Sequence, residues 1–105
     1  MDNRNKLTEL KAEILKSIAH PTRLAIVEML SDSEKCVCEL NEQIDADHST
    51  ISKHLSLLKR NGILSCRKEG LKVFYRLEVP CILKFMDCIT DVIRKRTDQH
   101  LEALK

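Results

Sequence analysis

At Asn61-Gly62 the spacing of apolar residues changes from helical to alternating, and few architectures accommodate that switch where it falls. Before it, Ile51, Leu55 and Leu58 lie within about 40° of one another on a wheel of about 100° per residue. Asp47 is suited to cap such a helix and Asn61-Gly62 to stop it. After it, Ile63-Leu64 and Val73-Phe74-Tyr75 flank Glu69-Gly70, the pattern of a β-hairpin over 63–77 with a basic tip. Upstream, Val37, Leu40 and Ile44 predict a short helix closed by Asp45-Ala46-Asp47. Two short helices within 37–61 give a helix-turn-helix outline, and the hairpin that follows is its wing.

The flanking segments complete one compact unit. Leu7, Leu10, Ile14 and Ile18 recur at helical spacing, predicting a helix over 6–18. His-Pro-Thr-Arg at 20–23 restarts the chain, with Pro21 in a first turn where its missing N–H costs nothing. The second helix, to about Leu30, has little polar face and is expected to be central. Pro80 opens a last helix with Ile82, Met86, Ile89, Ile93, Leu101 and Leu104 on one side. The expected fold is therefore mostly α with a small β-hairpin wing, a winged helix-turn-helix of order α-α-α-α-β-β-α, in a single domain over 1–105. Aromatics are only 3% of a chain that is 43% apolar, so the core must be aliphatic. A monomer of this size buries a limited share of its surface, and the stripe on the last helix, with the first helix, is expected to face a second copy.

Other classes are disfavoured. No run approaches the roughly 18 apolar residues of a membrane span. The first ten residues lack the pattern of a signal peptide, and five cysteines is an odd number. Reduced thiols and a cytoplasmic location are expected. There is no thioredoxin-like βαβ pattern, glycine-rich phosphate loop or nucleophile–base–orienter set, so no enzyme activity is expected.

The charge is lopsided. From His48 to Arg76 there are seven Lys or Arg against one acid, so that stretch carries +6 of a net +2. A phosphate-contacting surface has this character, and so does a merely solvated face. The wheel of the fourth helix favours the first reading: Ser49, Lys53, Ser56 and Arg60 lie opposite the apolar stripe, with Thr50 and Ser52 on its flanks. Hydroxyls near the start of such a helix can reach base edges or phosphates in a major groove, and cations hold the backbone. Arg60 can equally offset the helix C-terminal dipole. Lys68 and Lys72 extend the candidate surface onto the wing. His54 leans toward the buried side as a hydrogen-bonded structural residue.

Cys36 and Cys38 are the most informative pair. Within a helix, residues two apart point about 200° apart, whereas at a strand-to-helix junction both sulfurs can converge. Helix N-terminal N–H groups there also favour thiolate. Thiolates select soft partners such as arsenite, antimonite, cadmium or lead over hard cations. The alternative is two small apolar residues packed beneath the hairpin.

The segments HPTRLAIVEML, CVCEL, STISKHLSLLKRNGIL and RKEGLKVFYRL resemble successive motifs of the ArsR/SmtB family, in the family's order and spacing, over nearly the whole chain. The resemblance implies a homodimer with its first and last helices at the interface and a double-stranded operator with inverted repeats. It also implies release from DNA when an inducer engages Cys36 and Cys38, with no constitutive cofactor. Arsenite or another soft metal(loid) is the first expectation for that inducer, and oxidation or persulfide formation on the same cysteines is the second. The chain departs from the family in two places. Arsenite-responding members often carry a third cysteine where Asn41 stands, and cadmium- or lead-responding members carry cysteines near the N-terminus, which has none here. Candidates for a third ligand are Cys66, Cys81 and Cys88. Cys66 shares a strand face with Leu64, as a core residue would, and Cys81 and Cys88 lie about 10.5 Å apart along a helix, too far to grip one ion. Of a second family site, on the last helix, only Asp87 and His100 match; Ile89 and Ala103 stand at the other two positions, so that site is incomplete.

Overall fold

The computed structural model describes residues 3–104. Eight elements follow in order: α1 (Asn3–Ile18), α2 (Pro21–Met29), β1 (Lys35–Cys36), α3 (Val37–Gln43), α4 (His48–Arg60), β2 (Leu64–Glu69), β3 (Lys72–Leu77) and α5 (Cys81–Ala103). This is the expected winged helix-turn-helix with one added strand. β1 is only two residues long, too short for alternation to reveal, and it becomes a strand because β3 offers it a free edge. The sheet order is β1-β3-β2, antiparallel throughout.

Local chemistry explains the boundaries. Pro21 opens α2, and the His20 Nδ1 accepts the Thr22 N–H at 3.1 Å as its cap. Asp47 caps α4 by accepting the Thr50 N–H at 2.7 Å. Gly62, at φ 80°, turns the chain from α4 into β2, and Gly70, at φ 63°, makes the hairpin turn; both lie in the left-handed region that glycine enters freely. Across the turn Glu69 faces Lys72, Lys68 faces Val73 and Cys66 faces Tyr75.

The core is aliphatic, as the scarcity of aromatics demands. Ile26, Val27, Leu40, Ile51, Leu55 and Leu58 are at most 1% exposed, and Ile18, Leu30, Ile63 and Leu64 join them. The stripe on α5 divides: Ile82 and Met86, with Leu83, pack on this core, whereas Ile89, Ile93, Leu101 and Leu104 are exposed. The expectation that the whole stripe faces a partner is therefore corrected for Ile82 and Met86. α1 is similar in reverse, with Ile18 buried and Leu7, Leu10 and Ile14 bare.

Candidate DNA interface and thiol site

α4 is held to the core by Ile51, Leu55 and Leu58, which leaves its opposite face open. Ser49, Thr50, Ser52, Lys53, Ser56 and Arg60 are all exposed, as the wheel places them. The Ser49 hydroxyl donates to the Asp47 carboxylate at 3.1 Å, so its proton is engaged locally while its lone pairs stay available. Hydrogen bonds from Thr50, then Ser49, hold the Asp47 carboxyl below its ordinary pKa, with Lys53 adding attraction. His54 is half-buried and meets the ring of His20 at 4.5 Å between centroids; this ring contact replaces the hydrogen bond expected for it. Burial, then the charges of His20 and Arg23, lowers its pKa.

The basic stretch supplies fewer free cations than its count suggests. Arg67 is clamped on both sides, its Nε donating to the Glu34 carboxylate at 3.1 and 3.2 Å, its Nη2 also reaching Glu34, and its Nη1 meeting Glu69 at 2.8 Å. Its guanidinium also lies 4.7 Å from the Phe74 ring centroid. Arg76 pairs with Glu78 at 2.8 Å. The neighbouring Cys66 thiol raises the pKa of Lys59. Lys53, Lys59, Arg60, Lys68 and Lys72 are the Lys and Arg residues of this stretch that carry no ion pair among the described residues. Sequence reasoning could not see the clamp on Arg67, because Glu34 lies 33 residues away in the loop before β1.

Cys36 ends β1 and precedes α3, so the strand-to-helix junction expected for this pair is present. The two sulfurs converge and are joined in a disulfide, with Cα atoms 5.3 Å apart. Cys36 is 2% exposed, whereas Cys38 is open to solvent. The predicted benefit of the helix terminus is offset, because Glu39 already occupies it and accepts the Cys36 N–H at 3.2 Å. Both cysteines line a cleft of about 440 Å³ with Ser52 and Ser56 of α4 and Lys72 and Tyr75 of the wing. The pair lies beside α4 and the wing as well as at the start of α3, because β1 pairs with β3, Lys35 facing Tyr75 and Cys36 facing Phe74.

None of the three candidates for a third ligand joins this pair. Cys66 is half-buried on β2 among Lys59 and Tyr75, and Cys81 and Cys88 are exposed on α5. Among the described residues no group of three or more His, Cys, Asp or Glu is arranged to hold a metal ion. Asn41, where a third cysteine would stand, is half-buried with its Oδ1 buried and unpartnered.

Residues 20–65, from the His20 cap to the second residue of β2, match the family model for bacterial regulatory proteins of the arsR family. An HTH-type transcriptional regulator of Methanocaldococcus jannaschii is 40% identical over 83 residues, 75% of this chain and 93% of its own length. The chain belongs to the ArsR family. The arsenical resistance operon repressor of Escherichia coli K12 is 45% identical to this ArsR-family protein over 69 residues, 65% of the chain and 59% of the repressor. The homodimeric winged helix-turn-helix DNA-binding domain of a Mycobacterium bovis protein, solved by NMR, shares its fold with a TM-score of 0.78 at 23% identity, covering 94% of this chain and 92% of that one. This ArsR-family protein is thus a DNA-binding transcriptional regulator, not an enzyme. No helix among its described residues is long and apolar enough to cross a membrane.

Proposed function

We propose that this protein is a cytoplasmic homodimeric repressor that lays α4 in the major groove of an inverted-repeat operator and its β2–β3 wing along the backbone. A thiol-reactive inducer at Cys36 and Cys38 releases it. The observation that carries this reading is the cleft that both cysteines share with Ser52 and Ser56 on α4 and Lys72 on the wing. A change at Cys36 has a short route to DNA, because β1 is paired with β3 and Glu34 in the preceding loop grips Arg67 of β2. A coupling of about 1–3 kcal/mol along that route changes operator affinity some 5- to 150-fold.

Arsenite or a related soft ion, such as antimonite, cadmium or lead, is the first choice of inducer. Support comes from the converging thiols and from the likeness to a repressor of arsenical resistance. Sensing by oxidation or persulfide formation on the same pair is the second reading, favoured by sulfurs close enough to bond and by the lack of a third cysteine beside them. The test is to titrate the reduced protein, bound to an inverted-repeat duplex selected from random sequence, with arsenite, cadmium, zinc and peroxide in turn. Release by arsenite or cadmium, lost in the Cys36→Ser/Cys38→Ser double variant that still binds DNA, is expected. Release by peroxide alone selects the second reading, and a double variant that responds normally to every agent removes the pair from sensing.

A further inference from the structure

We propose that Cys36 and Cys38 form a polarised thiol–disulfide exchange site for low-molecular-weight anionic disulfides, with Cys38 the thiol that meets the substrate and Cys36 the thiol that resolves it. This rests on the reading of the pair as the sensor and specifies which thiol reacts first and with what. The division of roles follows from exposure. An incoming disulfide must approach the attacking sulfur along the axis of its own S–S bond. Cys38 is open to solvent and allows this approach, whereas Cys36, 2% exposed, does not. Cys36 can reach Cys38, however, since their Cα atoms are 5.3 Å apart, inside the usual range for a disulfide of roughly 4.4–6.8 Å.

The surroundings favour a particular substrate. The cleft of about 440 Å³ falls within the range of small-molecule sites, roughly 300–1,000 Å³. Leu55, Val73 and Tyr75 give it an apolar wall, and Ser52 and Ser56 supply hydroxyls. Lys72, with no ion pair among the described residues, is the cation on its rim, so a disulfide bearing carboxylates is preferred to a neutral one.

The chemistry balances in two displacements. The Cys38 thiolate attacks one sulfur of RSSR, forming the mixed disulfide Cys38–S–S–R and expelling RS⁻. The Cys36 thiolate then attacks the Cys38 Sγ, closing the intramolecular disulfide and expelling the second RS⁻. The two thiol protons end on the released thiols, and two electrons pass from the protein dithiol to RSSR. The substrate fragment occupies the space between α4 and the wing only in the mixed-disulfide state.

The test uses the full chain carrying Cys81→Ser and Cys88→Ser, which removes the exposed thiols of α5, reduced and exposed without DNA to oxidised glutathione. Adducts are mapped by peptide mass spectrometry. With Cys36 and Cys38 intact, the intramolecular disulfide and two released glutathiones per chain are expected. Cys36→Ala should trap one glutathionyl group on Cys38, and Cys38→Ser should leave Cys36 at least tenfold slower to react. An adduct on Cys36 in the Cys38→Ser variant at the rate seen for Cys38 overturns the division of roles. Lys72→Glu should slow oxidised glutathione several-fold while leaving the neutral 2-hydroxyethyl disulfide unaffected; equal effects on both probes overturn the preference for an anion. Exchange as described without release of the operator retains this chemistry and removes the sensor reading. Release by arsenite in a protein that fails to exchange does the reverse.

Discussion

Lys53 projects from the exposed face of α4, nearly two turns past the Asp47 cap, and its side chain supports nothing in the core. Lys53→Ala should therefore weaken operator binding by about tenfold while leaving the unfolding midpoint unchanged. Full affinity across salt concentrations would remove α4 from the groove. His54, next along the helix, has the opposite character, with its ring against His20 and Arg23 close by. Burial holds its pKa below the ordinary 6.5, so the folded state resists the proton that the unfolded chain accepts. Its contribution is intact above about pH 6.5 and declines as the pH falls through that value towards the lowered folded pKa, where the loss levels off. His54→Gln should flatten this part of the stability–pH curve, read as urea midpoints between about pH 7.5 and about 5.5. A curve as steep as the parent's would assign the acid sensitivity elsewhere.

At the scale of elements, the wing separates a count of charges from their availability. Lys72 is exposed and unpaired among the described residues, whereas Arg67 is held by Glu34, Glu69 and the Phe74 ring. Lys72→Ala should lower the slope of log affinity against log salt by about one, the signature of one lost phosphate contact. Arg67→Ala should leave that slope unchanged, and an equal reduction in both variants would mean that DNA breaks the Arg67 clamp. This contrast also marks what the sequence could convey. α4, its cap, its stop and the hairpin were legible because periodicity, Asp47 and two glycines act over a few residues. The convergence of Cys36 and Cys38 was legible as a junction between element types. β1 was not, since two residues carry no period and its partner strand begins 36 residues later. The pairing of Glu34 with Arg67 was hidden for the same reason, and with it the position of the thiols between helix and wing.

The whole molecule leaves much apolar surface uncovered. Beyond Met86, α5 exposes Ile89 at 42%, Val92 at 54% and Ile93 at 55%, and α1 exposes Leu7, Leu10, Ile14 and Leu15 at 42–55%. Scattered apolar residues are ordinary on a surface, but two helices with apolar stripes fit the subunit contact of the proposed homodimer. Two-fold pairing buries the same patch on both copies, which suits elements at the two ends of one chain. It also sets two copies of α4 in fixed relation, the arrangement an inverted repeat requires. Ile89 sits where α5 leaves its own core, so Ile89→Lys adds a charge to each side of the proposed contact without disturbing Ile82, Leu83 or Met86 beneath it. Desolvating that unpaired ammonium costs several kcal/mol per protomer, enough to dissociate a dimer of ordinary affinity. Sedimentation at micromolar concentration should find the parent as a dimer and the variant as a monomer that retains its helical content. Operator binding should fall with dimerisation, since each monomer then meets a single half-site. A variant dimer as stable as the parent's would place these stripes outside the subunit contact.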